Sequence, residues 1–194
     1  MFKEHKINKL NNFIKGWYIN KNVCNDLIKF FNLNKDKTKE GTVGYGIKPD
    51  IKKSTDLNIP INSPQVEIQN YLKELSNCAK QYIKIYPHLD SHLEQWGIIE
   101  NFNIQKYKPS EAYFSWHTER NGKKSNTTNR LLVFMTYLND VEDNGETEWF
   151  YQKLKIKPET GLTIIWPVDW MFVHRGIPSK TEEKFIATGW YSFL

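Results

Sequence analysis

Between Arg130 and Leu138 the chain reads Leu-Leu-Val-Phe-Met-Thr-Tyr-Leu, with only Thr136 breaking the apolar run. Alternate side chains of a strand point to opposite faces, so a run of this kind suits a strand covered on both sides. Such a strand belongs in the middle of a sheet, with further layers above and below it. The surrounding sequence supplies its neighbours. From Trp96 onward, extended stretches alternate with turn residues: Ile98–Tyr107, Ala112–Glu119, the run itself, Glu148–Ile156, Leu162–Trp166, Trp170–His174 and Lys184–Phe193. Pro109-Ser110, Asn139–Thr147, Pro158–Gly161 and the Gly176/Pro178 pair punctuate them. Short strands at near-even spacing with such turns argue for a β-sandwich or jelly roll.

The first 95 residues have a different texture. Residues 1–20, with Leu10, Phe13, Ile14, Trp17 and Tyr18 in no clean period, read as a strand or irregular arm over the core. Asn22 is placed to cap a helix over Val23–Phe31. Residues 32–62 read as a long loop with short extended pieces. Ser63-Pro64 opens a second helix, whose apolar positions Val66, Ile68, Tyr71, Leu72, Leu75, Cys78, Ala79, Tyr82 and Ile83 keep helical spacing until Pro87. The expected organisation is one domain over 1–194. Residues 1–95 form a mostly helical support layer, and residues 96–194 form the β core with the active site.

Composition narrows the function classes. Lys+Arg exceed Asp+Glu by 27 to 22, a net charge of +5, with pI near 9.0 and mean hydropathy −0.64. The lysines are spread out rather than packed into one block, so a nucleic-acid partner is disfavoured. No apolar run is long enough to span a membrane, and the first residues lack the apolar stretch of a signal peptide. Cys24 and Cys78 lie far apart and outside any C-x-x-C pattern. They fit small core residues in a reducing, cytoplasmic setting rather than a disulfide framework.

Chemistry concentrates at Trp116-His117-Thr118-Glu119. In an extended stretch, His117 and Glu119 point to the same face and set an imidazole beside a carboxylate. His174, ending Trp170–His174, offers a third ligand. Two histidines and one carboxylate with open positions opposite form the facial triad used by non-haem iron(II) oxygenases. Lys184 follows across a turn-rich segment. If strands 170–174 and 184–190 pair around it, His174 and Lys184 face each other. A cation there suits a dicarboxylate that chelates iron at one end and needs a counter-charge at the other. The polar stretch Arg120–Asn129 (RNGKKSNTTN) is expected to be a solvent loop able to close over substrate.

In order, Tyr107, Tyr113, His117-Thr-Glu119, Arg130, Tyr137-Leu-Asn-Asp-Val, Gly145-Glu-Thr147, Lys157-Pro158 through Gly161, His174, Lys184 and Trp190 resemble one family. It is the 2-oxoglutarate- and Fe(II)-dependent dioxygenases, in their prolyl 4-hydroxylase-like branch, and the likeness covers about residues 100–194. The resemblance implies a mainly β (α+β) chain with a double-stranded β-helix (jelly roll) supported by N-terminal helices. It implies Fe(II) on His117, Glu119 and His174, with 2-oxoglutarate bound by Lys184 and Tyr107. O2 is consumed, and ascorbate is an accompanying reductant. Tyr113, Trp116, Arg130 and Trp190 are candidates for the substrate pocket, with Trp170 a further candidate wall. Glu119 stands where the branch mostly has aspartate, and Val133 where a threonine is common.

The implied activity is hydroxylation of a substrate C–H coupled to decarboxylation of 2-oxoglutarate. A peptidyl proline, another side chain and a small molecule are all open as substrates, as is the oligomeric state. Within iron enzymes the alternative is an AlkB-like nucleic-acid demethylase, which fits the basic pI. That branch, however, places arginines after the distal histidine, where this chain has Lys184. Outside enzymes the alternative is a metal-free jelly-roll binding module, against which three metal-competent positions argue.

Overall fold

The computed structural model describes residues 3–5, 12–44, 46–120 and 125–194, and the side chains of Ser125 and Asn126 are left aside. In chain order the elements are β1 (Glu4–His5), β2 (Lys15–Tyr18), α1 (Lys21–Leu33), β3 (Lys39–Glu40), β4 (Thr55–Ile59), α2 (Val66–Ile85) and α3 (His88–Ser91). There follow β5 (Trp96–Gly97), β6 (Phe102–Tyr107), α4 (Ser125–Thr128), β7 (Arg130–Tyr137), β8 (Thr147–Trp149), β9 (Leu154–Ile156), β10 (Leu162–Pro167), β11 (His174–Gly176) and β12 (Lys184–Phe193). Leu10 and residues 121–124 of the expected loop lie outside the described residues.

β7 holds the position that its apolar run predicts. The large antiparallel sheet runs β1-β2-β10-β7-β12-β6-β4-β3, with β5 pairing β12 as well. Leu132 and Phe134 project into a core shared with α1 and α2, together with Leu27, Phe31, Ile68 and Leu75. Val133, Met135 and Tyr137 project the other way, among Trp149, Ile164, Trp166 and Ile186. A smaller sheet, β11-β8-β9, adds Trp149 and Ile156 to that second cluster. Two antiparallel sheets around an inner core, backed by two helices, give the jelly roll with its helical support.

Several local readings are corrected. Helix α1 is capped by Asn20, whose side chain accepts from the Asn22 backbone N–H, so it starts two residues before the expected cap would allow. Ser63-Pro64 stays in the turn before α2, which begins after Gln65. The first 95 residues contribute more than helices: β2 pairs β10, and β4 pairs β6 inside the large sheet. Glu148–Ile156 is not one strand but the β8/β9 hairpin, turning at Phe150–Lys153 with Lys153 at φ 48°. Residues Trp170–Phe172 coil into a single 3-10 turn rather than extending. The Ala112–Glu119 segment, expected as a strand, forms no ladder: it joins its neighbours through the isolated bridges of Tyr113 to Lys52 and His117 to His174 and through single hydrogen bonds such as Phe114 N–H to the Ile51 carbonyl. Finally, β12 pairs β6 and β7, so Lys184 faces Tyr107 and not His174, while β11 pairs β8. The turn-rich link between β11 and β12 passes from one sheet to the other instead of closing a hairpin.

Candidate metal centre

The register of β12 fixes one wall of a cavity of about 1060 Å³. Lys184, Ile186, Thr188 and Trp190 all line it, whereas Phe185, Ala187 and Tyr191 point into the helix-side core. Val133 and Met135 of β7, Gln105 and Tyr107 of β6, and Asp56 and Asn58 of β4 continue that wall by the same alternation. His117, Glu119 and His174 line the same cavity.

The two histidines are stapled together by their backbones. His117 N–H donates to the His174 carbonyl and His174 N–H donates to the His117 carbonyl, both at 3.0 Å. Each ring is fixed by the carbonyl two residues earlier: His117 Nδ1 lies 3.0 Å from Ser115 O, and His174 Nδ1 lies 2.9 Å from Phe172 O. A carbonyl only accepts, so Nδ1 carries the proton and Nε2 of the neutral ring presents a lone pair. Both Nε2 atoms face Glu119 Oε1, at 3.4 Å from His117 and 3.6 Å from His174. One ligand atom from each residue falls within 4.8 Å of the others. Three electron-rich atoms held this close repel unless a cation or proton sits among them, and N,N,O donors suit a divalent transition metal.

The surroundings favour a neutral His117 and an ionised Glu119. Burial, helped by the neighbouring His174, lowers the His117 pKa despite Glu119. Burial works against the Glu119 charge, but the contacts with His117 and His174, which favour the carboxylate whenever a proton or cation sits between Nε2 and Oε1, outweigh it and hold the carboxyl well below the usual range. Oε2 of Glu119 is turned away from the histidines and receives the Trp190 indole N–H at 3.0 Å. Arg130 backs both groups. Its guanidinium carbon lies 3.4 Å over the Trp190 ring, one N–H reaches the Glu119 carbonyl at 3.3 Å, and others bind the Glu100 carboxylate. Tyr113 stacks on His117 with ring centres 3.6 Å apart, and Trp166 meets His174 edge-on.

Across the cavity, Lys184 is 4% exposed. Its ammonium donates to the Gly145 carbonyl at 2.8 Å and lies 5.1 Å over the Tyr107 ring. It makes no ion pair among the described residues. Burial pushes its pKa down to about 8, with the charge of Glu146 opposing. A buried ammonium without a counter-ion is what an anion entering the cavity would neutralise. Gly145 earns its place here: at φ +83°, with a Cβ that would stand 2.9 Å from Val141, it turns the carbonyl towards the lysine.

Of the residues singled out from sequence, His117, Glu119, His174, Lys184, Tyr107, Tyr113, Trp116, Arg130 and Trp190 all line this one cavity. Trp170 does not. The Tyr107 hydroxyl is already committed, donating to Gln105 Oε1 at 2.7 Å. Sequence reasoning missed the polar wall behind it. Asp56 accepts from Lys52 at 2.6 Å, from Ser54 at 2.7 Å and from Gln105 at 3.3 Å. The period-2 polar positions of Thr55–Ile59 were the available signal.

Residues 102–192 match the 2OG-Fe(II) oxygenase superfamily. A probable prolyl 4-hydroxylase of Arabidopsis thaliana is 27% identical over 115 residues, which cover 47% of this chain and 40% of that protein. A putative prolyl 4-hydroxylase of Acanthamoeba polyphaga mimivirus is 23% identical over 92% of this chain and 73% of its own length. The chain therefore spans well under half of the plant relative and about three quarters of the viral one. Among solved structures, the viral collagen prolyl hydroxylase of Paramecium bursaria Chlorella virus-1, in complex with 2-oxoglutarate, superimposes with a TM-score of 0.71 at 20% identity, over 95% of this chain and 98% of that one. That likeness carries the jelly-roll fold, and over residues 102–192, the part of the chain that holds the candidate donor set, the sequence is similar to the 2OG-Fe(II) oxygenase superfamily.

Proposed function

We propose that the chain, acting as one domain over residues 1–194, is an iron(II)- and 2-oxoglutarate-dependent dioxygenase that hydroxylates a peptidyl proline. The observation that carries the reading is the pairing, in one cavity, of the His117/Glu119/His174 donor set with the buried, uncompensated Lys184 ammonium. His117 Nε2, His174 Nε2 and Glu119 Oε1 would hold the metal, and Lys184 the far carboxylate of 2-oxoglutarate. Bound there with O2, these groups supply the oxidant, 2-oxoglutarate losing CO2 and leaving as succinate while the substrate C–H becomes C–OH.

The protein's own part is to bind, orient and exclude water. The Nδ1 contacts to Ser115 and Phe172 fix both imidazole tautomers and ring angles. Trp190 and Arg130 hold Glu119 with one oxygen free for the metal. Val133, Met135, Trp166 and Ile186 line the inner cavity with apolar surface that keeps water from the reacting centre. Tyr107 contributes the wall beside Lys184, its ring rather than a free hydroxyl facing the ammonium.

Peptidyl proline is chosen because the relatives that match are named as prolyl hydroxylases. None of them is a nucleic-acid demethylase, and the intact donor set argues against a metal-free module. No helix among the described residues is long and apolar enough to cross a membrane. We assign the enzyme to a reducing, cytoplasmic setting, which its two buried free cysteines suit, with ascorbate as an accompanying reductant.

The test is mass spectrometry of proline-containing peptides incubated with the protein, iron(II), 2-oxoglutarate and O2. A gain of one oxygen on proline, matched by succinate, is expected. Succinate formed together with oxygen on a different residue would replace the proline assignment while keeping the dioxygenase. No succinate with any peptide would overturn both.

A further inference from the structure

Tyr107 and Lys184 stand directly opposite each other across β6 and β12, and both line the cavity. An anion seated on the Lys184 ammonium therefore meets the Tyr107 side chain as well. A phenol carries one proton and an ionised carboxylate only accepts, so the hydroxyl can serve such an anion only while that proton is free. In this chain it is already taken. The Tyr107 hydroxyl donates to Gln105 Oε1 at 2.7 Å, inside a wall where Tyr107 and Gln105 are both buried.

The direction of that bond is set one link further on. Gln105 Nε2 donates to Asp56 Oδ2 at 3.3 Å, the β4/β6 register placing the two residues side by side. A carboxylate does not donate, so Gln105 can turn only its NH2 end to Asp56, and its carbonyl end is left for the tyrosine. Asp56 is held in its turn. The Lys52 ammonium meets Oδ2 at 2.6 Å and the Ser54 hydroxyl meets Oδ1 at 2.7 Å, both donors buried. Gly41 leaves the space for them, since a Cβ there would stand 2.1 Å from Ser54 Oγ. Buried polar groups joined this fully settle on one arrangement, because each broken link would strand a partner away from water.

We propose that Gln105 is a positioning residue for the cosubstrate: it takes the one proton of the Tyr107 hydroxyl and so withholds that group from the far carboxylate of 2-oxoglutarate. Tyr107 then serves through its ring, over which the Lys184 ammonium lies at 5.1 Å. Cosubstrate affinity is held below what the same cavity could give, and occupancy follows the 2-oxoglutarate concentration over a higher range. Without Gln105 the hydroxyl can turn its proton, by rotation about the C–O bond, to an anion on Lys184. This inference rests on the reading of 2-oxoglutarate as that anion.

The experiment is a double-mutant cycle, read by anaerobic titration of 2-oxoglutarate into the iron(II) protein, with the melting temperature of each variant measured alongside. Gln105→Met, of similar length but without an acceptor, should lower the 2-oxoglutarate Kd by about tenfold as the freed hydroxyl turns to the carboxylate. Tyr107→Phe should cancel that gain, raising Kd about tenfold in the Gln105→Met background but less than about threefold in wild type. A pair that matters only for folding would shift the melting temperature and move Kd alike in both backgrounds. A Kd that Gln105→Met leaves unmoved or raises, or an equal cost of Tyr107→Phe in both backgrounds, overturns the proposal and leaves the dioxygenase reading standing. If Gln105→Met does not fold, Tyr107→Phe in wild type decides. A rise of about tenfold shows the hydroxyl already bound to the cosubstrate and overturns the proposal, whereas a rise under about threefold upholds it. A wild-type iron(II) protein that binds no 2-oxoglutarate overturns the dioxygenase reading and this inference together.

Discussion

Replacing Lys184 by methionine should make the protein more stable and its cosubstrate binding much weaker. The Lys184 pKa falls from 10.5 to about 8 because burial penalises the charged form. That displacement corresponds to about 3 kcal/mol of cost for keeping the ammonium in the folded, ligand-free protein at neutral pH. Methionine fills a similar volume without charge. After allowing for the lost bond to the Gly145 carbonyl, Lys184→Met should raise apo stability by about 1–3 kcal/mol. The pH dependence has a definite sign. Between pH 8 and 10.5 the unfolded chain holds a proton that the folded chain has shed, so wild-type stability rises with pH through that window. The gap between variant and wild type should therefore be full below pH 8 and close as pH approaches 10.5. Urea titrations at pH 7 and pH 10 would measure it.

For 2-oxoglutarate the effect runs the other way. Loss of a charge-assisted contact is worth roughly 1.5–3 kcal/mol, a rise of about 10- to 150-fold in Kd, read by anaerobic titration of the iron(II) protein. Wild-type affinity should fall above pH 8, up to about tenfold per pH unit, as the free lysine loses its proton before ligand arrives. A Lys184→Met protein less stable than wild type at pH 7, or one that binds 2-oxoglutarate normally, would refute the reasoning.

Two further outcomes test the donor set. His117→Ala or His174→Ala should abolish stoichiometric iron(II) binding while circular dichroism stays native, since both side chains line the cavity and belong to neither apolar core cluster; metal retained at full occupancy in both would end the assignment. Trp190→Phe keeps a ring under the Arg130 guanidinium but removes the N–H on Glu119 Oε2, so iron(II) affinity should drop by about 10- to 100-fold in a competition titration with a coloured chelator, with little change in melting temperature.

What was legible in the sequence had a local cause. The apolar run of β7 declares a strand buried on both faces, and the spacing from Ile68 to Tyr82 declares α2. The candidate ligands stood out because histidine and carboxylate at i and i+2 share a face of extended chain. The misreadings have physical reasons too. The β8/β9 turn is built of Phe150-Tyr-Gln-Lys153, without Gly, Pro or Asn, so turn chemistry gives no signal and the segment looks like one strand. Trp170–Phe172 has the apolar texture of a strand, yet a 3-10 turn buries Phe172 and turns its neighbours outward. The partner of β12 was out of reach because a turn-rich link can close a hairpin or cross between sheets, and only tertiary packing chooses. Asp56 and Gln105, distant in sequence, meet solely through the β4/β6 register.

The alternation of β7 and β12 also bears on how this chain can change over time. Leu132, Phe134, Phe185 and Ala187 speak only to the helix-side core, whereas Val133, Met135, Lys184 and Ile186 face the cavity. Substitutions of the first set alter robustness and those of the second alter what the cavity accepts, and the backbone separates them. Changes on opposite faces with no shared partner tend to combine additively. Mutational drift or directed evolution can therefore tune tolerance to heat and choice of substrate as nearly independent traits, within two strands.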